Sequence, residues 1–100
     1  MADVDATKWL NYLDVLSKDS RLNVWHLALL TALIQLARLQ RADRLVRVSR
    51  SKLMALSHIH TLPTYHKYFK ELQDMGFIRY TPSYHPGFRS TCEFLTLEKK

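Results

Sequence analysis

Apolar residues recur at helical spacing in the first part of the chain. In residues 6–17 they fall on or beside one face, at Trp9, Leu10, Tyr12, Leu13 and Leu16. Apolar positions three and four residues apart are typical of an amphipathic helix. The pattern therefore predicts a short first helix, and Asp5 stands where an N-cap residue would lie.

A second helix is predicted over residues 24–40, with Asn23 or Ser20 as its N-cap. Its apolar residues occupy most of the circumference and leave only a narrow polar strip, formed by Thr31, Gln35 and Arg38. A helix of this kind has to be covered on two sides. We expect the domain core on one side and either the first helix or a second protomer on the other. Residues 6–17 and 24–40 are therefore the candidate contact of a homodimer.

The pattern changes from helical to alternating in the middle of the chain. Residues 45–48 alternate, which predicts a short strand with Val46 and Val48 facing the core. Ser49 follows this strand as the expected N-cap of a two-turn helix over residues 50–56.

An amphipathic helix and a hairpin are predicted in the second half. In residues 61–75 the apolar side chains share one arc of the helix, at Leu62, Tyr65, Phe69 and Leu72. Thr61 is the expected N-cap, and Gly76 is placed to end the helix as its C′ residue. Strands predicted over residues 77–81 and 90–97 give a two-stranded hairpin with a long loop.

The composition is that of one folded domain. The chain has 100 residues, of which 47% are hydrophobic, enough for a single core without disulfides or a metal. Cys92 is the only cysteine, which excludes an intrachain disulfide and fits a reducing cytoplasmic compartment. The acidic start does not have the pattern of a signal peptide, and no apolar run reaches the roughly 18 residues of a membrane span. We therefore expect no membrane association.

Charge is distributed unevenly along the chain. The net charge is +6, yet residues 1–20 carry −2 and the remainder carries +8. Arginine recurs at every third position in one segment, at Arg38, Arg41, Arg44, Arg47 and Arg50. A basic excess of this kind favours an anionic partner.

A short helix, a tight turn, a longer basic helix and a hairpin together resemble the winged helix-turn-helix arrangement. The run T-x-x-K-x-F-K-E-L-x-x-x-G-F-I, from Thr64 to Ile78, is similar to the recognition helix and following strand of many bacterial winged-helix regulators. The longer stretch 64–90 is similar to small helix-turn-helix proteins of Bacteroidetes genomes and their mobile elements. The resemblance implies a mainly α fold with a small β-hairpin wing (α+β). Residues 20–100 would form the winged helix-turn-helix domain, and residues 1–19 an extra N-terminal helix available for dimerisation.

The resemblance also implies a mode of DNA binding. In such folds the longer helix of the motif enters the major groove. Residues 61–75 would then read double-stranded DNA, and the wing, residues 81–90, would lie on the flanking backbone or in the minor groove. The candidate DNA-binding residues are Arg50, Ser51, Lys52, Thr61, Pro63, Thr64, His66, Lys67, Tyr68, Lys70 and Arg89.

Different contacts are expected at the two ends of the motif. Arg50, Ser51 and Lys52 should include phosphate contacts, which set the register without carrying sequence information. Lys67 could reach a guanine edge or a phosphate. A competing interpretation makes the two i,i+4 pairs of this helix a solvated surface, namely Lys67 with Glu71 and Lys70 with Asp74.

The residue pattern does not favour an enzyme. His58, His60 and His66 have no nearby carboxylate or cysteine that would complete a tetrahedral metal site. Tyr84 and His85 as a nucleophile and base would need a metal-holding histidine cluster elsewhere. We therefore expect no catalysis, no cofactor and no metal.

The expected function is sequence-specific DNA binding in the cytoplasm, at the nucleoid, as a transcriptional regulator. One alternative is a DNA-binding accessory factor for the replication, mobilisation or excision of a mobile element. Another is a winged-helix module that binds proteins, because a fold does not by itself settle a function.

Overall fold

The computed structural model of the protein describes residues 4–87 and 89–97. Within these residues the chain forms four helices and one antiparallel sheet of three strands. The elements in chain order are α1 (Val4–Ser17), α2 (Val24–Gln40), β1 (Leu45–Val48), α3 (Arg50–Ser57), α4 (Leu62–Asp74), β2 (Ile78–Thr81) and β3 (Ser90–Phe94). The fold class is therefore α+β.

Helix α1 begins earlier than its apolar pattern predicts. Because the helix starts at Val4, Asp5 lies inside it, and the prediction of Asp5 as N-cap is wrong. The burial of this helix also differs from the prediction. Trp9, Tyr12 and Leu16 are buried, whereas Leu10 is 65% exposed. The helical spacing predicted this helix correctly, but it did not show which of the apolar side chains are buried.

Helix α2 begins at the predicted cap. The Oδ1 atom of Asn23 accepts hydrogen bonds from the backbone N–H groups of Trp25 (2.9 Å) and His26 (3.1 Å). The Nδ1 atom of His26 accepts a hydrogen bond from the backbone N–H of Asn23 in return, at 3.0 Å. These reciprocal bonds satisfy three N–H groups that the start of a helix leaves without intrahelical partners.

Helix α2 is covered on two sides, as its composition predicts. Leu29, Leu30 and Leu33 are buried in the core, and α1 packs along the same helix. The predicted polar strip of Thr31, Gln35 and Arg38 is exposed. The second layer of cover thus comes from α1 of the same chain, and a homodimer through these helices stays a prediction.

The sheet has the strand order β1-β3-β2. Strand β3 pairs with both neighbours, with Cys92 opposite Val46 on one side and opposite Tyr80 on the other. The sequence predicted the two-stranded hairpin but not the pairing of β1 with it. Strand β3 also ends at Phe94, short of the predicted Leu97.

Two polar side chains fix the ends of β1. The side-chain amide of Gln40 donates to the backbone oxygen of Arg47 (2.8 Å) and accepts from its N–H (2.9 Å). The guanidinium of Arg44 donates to the carbonyl oxygens of Phe94 (3.2 Å) and Leu97 (3.0 Å). Arg44 therefore binds the chain beyond β3, where strand pairing has ended.

Helix α4 carries the most regular apolar face and ends in a Schellman motif. Tyr65, Phe69 and Leu72 are buried, while Leu62, predicted on the same arc, is 44% exposed. The N–H of Phe77 donates to the carbonyl of Leu72 at 3.0 Å, and Gly76 has a φ of 84°. A residue in the left-handed region is what this motif requires, and glycine adopts it without steric cost.

No helix within the described ranges is both long and apolar enough to cross a lipid bilayer.

Candidate nucleic-acid interface

The N-terminal turn of α3 is exposed and basic. The Oγ atom of Ser49 accepts a hydrogen bond from the N–H of Lys52 at 3.3 Å, which confirms Ser49 as the cap. Arg50, Ser51 and Lys52 follow it, and all three are exposed. These candidate residues therefore lie on one solvent-facing helix start, where the macrodipole also favours an anion.

Arg50, at the start of α3, has an electrostatic effect on Tyr65 of α4. Burial raises the pKa of Tyr65 to about 12, and the Arg50 guanidinium acts against that effect by lowering it. Tyr65 itself is buried and stacks on Phe69, with ring centroids 5.2 Å apart. The prediction that Tyr65 lies on the apolar face of this helix is confirmed.

The first turn of α4 differs from the predicted cap. Thr61 occupies the N-cap position, but its hydroxyl donates to Oγ1 of Thr64 at 2.8 Å and makes no cap hydrogen bond to the backbone. Pro63 lies in the first turn, where its missing N–H leaves no gap in the helix. Thr61 and Pro63 are exposed and Thr64 is half-buried. Backbone N–H groups of this turn thus remain without a side-chain cap.

The two lysines of α4 have different surroundings. Lys70 forms an ion pair with Asp74, with 3.0 Å between Nζ and Oδ2. Lys67 does not pair with Glu71, and its Nζ lies 5.2 Å from the ring centroid of Tyr68. The competing interpretation of two solvated i,i+4 pairs is therefore right for Lys70 and wrong for Lys67. His66 and both lysines are exposed.

Tyr68 is the candidate residue most involved in packing. It is half-buried, and its ring stacks on Trp25 at 5.9 Å with an interplanar angle of 16°. The ring of His26 meets it edge-on at 5.2 Å. Tyr68 therefore joins α4 to the start of α2.

The loop between β2 and β3 projects from the sheet. Tyr84 is 92% exposed, and Arg89 is exposed at the far side of the loop. At the base, the N–H of Ser83 donates to Oγ of Ser90 at 3.0 Å. Phe88, in this loop, and the C-terminal Lys99 and Lys100 lie outside the described residues.

Acidic residues are already engaged wherever the structure describes their side chains. Each is held by a basic side chain: Asp14 by Lys18, Asp19 by Arg21, Asp43 by Lys8, Glu71 by His26, Asp74 by Lys70 and Glu93 by Arg79. Among the same described residues, no acid pairs with Arg47, Arg50, Lys52 or Lys67. Three of these four cations, Arg50, Lys52 and Lys67, lie in the N-terminal halves of α3 and α4.

The sequence contains a signal for this set of basic residues. From Arg44 to Lys70 the chain contains six lysines and arginines and no aspartate or glutamate. Net charge alone does not reveal it, because the acids cluster in the other parts of the chain. A search for long acid-free segments would have found it.

The described part of the chain was also searched for metal-binding and nucleophilic groups. No group of three or more His, Cys, Asp or Glu side chains there could hold a metal ion. Cys92 is buried, and burial raises the pKa of its thiol to about 12. The neutral thiol is a poor nucleophile.

Comparison with known proteins yields no relative: no family model matches the chain, and neither a curated protein nor a solved structure matches it. The winged helix-turn-helix resemblance therefore stays a prediction.

Proposed function

We propose that the protein is a winged helix-turn-helix domain that binds double-stranded DNA in a sequence-specific manner. The order β1, α3, α4, β2, β3 and the strand order β1-β3-β2 support this fold assignment. The observation that carries the function is a set of exposed cations in the N-terminal halves of α3 and α4, for which the described residues contain no acidic partner: Arg50, Lys52 and Lys67.

In the proposed complex, α4 lies in the major groove and its N-terminal half meets the base edges. Lys67 contacts a guanine edge or a phosphate, and Pro63 and His66 lie beside it. The hydroxyls of Thr61 and Thr64 face the sugar-phosphate backbone. An uncapped helix N-terminus suits a phosphate, since its N–H groups point at the ligand.

Arg50, Ser51 and Lys52 contact the phosphates of one strand and set the register of α4. The wing, residues 81–90, follows the adjacent backbone or minor groove, with Arg89 as its cation. A narrow minor groove concentrates negative potential and attracts arginine. Tyr68 contributes through its packing on Trp25, which holds α4 against α2.

The protein acts in this proposal by occupying its site, in the cytoplasm and on the nucleoid. Binding alone does not distinguish a transcriptional regulator from an accessory factor of a mobile element. The position of the recovered sites decides between them, because a regulator's sites lie at promoters and an accessory factor's sites lie at element ends or origins.

Selection of bound duplexes from a random pool tests the proposal. The wild-type protein is expected to enrich one motif. Lys67→Ala should alter that motif or abolish the enrichment, and the double change Arg50→Ala, Lys52→Ala should weaken binding to all sequences alike. Lys18→Ala is the matched control, because Lys18 is an exposed lysine directly after α1 and pairs with Asp14 of that helix.

Salt dependence gives an independent measure. If four to six phosphates are neutralised, a log–log plot of affinity against salt should have a slope of about −4 to −5. Replacing Arg50 and Lys52 should reduce its magnitude by about 2. No enrichment by the wild type, or enrichment unchanged by Lys67→Ala and by Lys70→Ala, would contradict the recognition-helix assignment.

A further inference from the structure

Helix α4 contains two lysine–acid pairs with the same spacing but different geometry. Lys70 and Asp74 form an ion pair, with distances of 3.0 and 3.3 Å from Nζ to the two carboxylate oxygens. Lys67 and Glu71 stand at the same i,i+4 spacing, which places two side chains side by side on a helix. They form no ion pair, and the Glu71 carboxylate instead contacts a group outside the helix.

That group is His26, at the start of α2. Its Nε2 atom lies 2.7 Å from Oε1 of Glu71. Its Nδ1 atom accepts a hydrogen bond from the backbone N–H of Asn23, so the hydrogen-bond pattern assigns the ring proton to Nε2. A neutral ring in this tautomer donates to the Glu71 carboxylate.

The environment of His26 leaves it little freedom to release Glu71. Its side chain is 4% exposed, whereas that of Glu71 is 40% exposed. The imidazole is fixed on one side by the N-cap of α2 and meets the edge of the Tyr68 ring. Glu71 is therefore held by a buried donor, while Asp74 has only Lys70 as its partner.

We infer that His26 is a positioning residue for the proposed DNA contact, because it holds the Glu71 carboxylate away from Lys67 and keeps that ammonium free for an anion. The effect on DNA affinity rests on the proposed function, whereas the contact between His26 and Glu71 does not depend on DNA. It makes Lys67 the principal cation of α4 and Lys70 the lesser one, since Lys70 has to leave Asp74 before it can bind a phosphate.

The experiment compares His26→Leu with the wild type on a short fluorescein-labelled duplex of mixed sequence, by anisotropy at low salt. Leucine lacks the donor, so Glu71 becomes free to pair with Lys67. The expected loss of affinity is about 1.5- to 2-fold, the scale of an i,i+4 ion pair. His26→Gln retains a side-chain N–H donor and is expected to recover most of the wild-type affinity.

A double-mutant comparison separates positioning from general stability. In the background Glu71→Gln no carboxylate can capture Lys67, so His26→Leu should have no effect on affinity there. An equal loss in both backgrounds would show that His26 acts only through the fold, and would overturn the inference. Thermal unfolding of each variant verifies that the protein measured is folded.

A second arm leaves the core untouched. Asp74→Asn frees Lys70 in the way that His26 frees Lys67, and should tighten binding by about twofold. Asp14→Asn, on α1, removes one acid with the same i,i+4 lysine and controls for the change in net charge. Equal effects of the two changes would contradict the inference even if His26→Leu did not fold.

A readout without DNA distinguishes failure of this inference from failure of the proposed function. Crystal structures of the wild type and of His26→Leu should show Nζ of Lys67 within hydrogen-bond distance of Glu71 only in the variant. If the wild type binds no duplex, the proposed function fails while this geometry can still hold. If Lys67 stays apart from Glu71 in His26→Leu, the positioning role is wrong whatever the protein binds.

Discussion

The indole ring of Trp9 lies 5.0 Å from the phenyl ring of Phe94, measured between centroids, so the first helix packs on the last strand. Tyr12 adds a hydrogen bond from the same helix, with 2.7 Å between its hydroxyl oxygen and Oγ1 of Thr96. Helix α1 is therefore part of the core that the sheet covers, and its removal would expose the end of β3.

The contact between Trp9 and Phe94 predicts a large loss of stability when the Trp9 side chain is removed. Trp9→Ala should lower the free energy of unfolding by about 3–5 kcal/mol, because a large buried ring is replaced by a cavity. Leu10→Ala, one position along, should change it by less than about 0.5 kcal/mol, since Leu10 is largely exposed. Urea unfolding followed by circular dichroism measures both. Equal effects of the two changes would mean that α1 does not pack as described.

The N-cap residues of α2 and α4, Asn23 and Thr61, should differ in the stability that is lost on replacement by alanine. Asn23→Ala should cost about 1 kcal/mol, because its side chain accepts from two backbone N–H groups. Thr61→Ala should cost less than about 0.5 kcal/mol, since Thr61 makes no cap hydrogen bond to the backbone. The urea midpoint at an unchanged slope gives each value. A Thr61 effect as large as that of Asn23 would contradict the described cap geometry.

Stability should fall at alkaline pH because of Cys92. Burial raises the pKa of its thiol from 9.0 to about 12, so the unfolded chain loses this proton at a lower pH than the folded one. Since the folded state then binds more protons, its stability declines as the pH rises through this interval, by up to about 1.4 kcal/mol per pH unit.

Unfolding in urea from neutral pH to about pH 10 measures this decline. Cys92→Ala is the control, and it should show a shallower decline. Tyr65 contributes at the upper end, because its pKa is raised in the same direction. A thiol reagent should modify the native protein much more slowly than the unfolded one. A steep decline that is unchanged in Cys92→Ala would assign the effect to another group.

The two glycines offer a matched pair of substitutions. Gly76 has a φ of 84°, and a Cβ placed there would meet no atom within 4 Å, so the cost of Gly76→Ala is one of backbone conformation, about 1 kcal/mol. Gly87 has no positive φ and equally open surroundings, so Gly87→Ala should change stability by less than about 0.5 kcal/mol. Thermal unfolding of both variants checks this contrast.

Local signals in the sequence were sufficient at three helix ends. Asn23, Ser49 and Gly76 were predicted at their helix ends because capping is settled within one helical turn. The exposure of Leu10 and Leu62 was missed, because a helical arc indicates direction and does not show what covers it.

Contacts between distant parts of the chain could not be predicted from the local sequence pattern. Val46 pairs with Cys92, and a four-residue strand carries no mark of a partner so far along the chain. The spacing of Lys67 and Glu71 predicted an ion pair as strongly as that of Lys70 and Asp74. His26, in another helix, decides which of the two forms.

The side-chain amide of Gln40 has the same donor and acceptor as a peptide unit, and it meets both backbone groups of Arg47. Strand β1 lies at the border of the sheet, where unpaired backbone groups are a template for joining another chain. Gln40 takes the place of one residue of that missing neighbour. The sheet is thus protected at this point from edge-to-edge aggregation by a single glutamine, without a further strand.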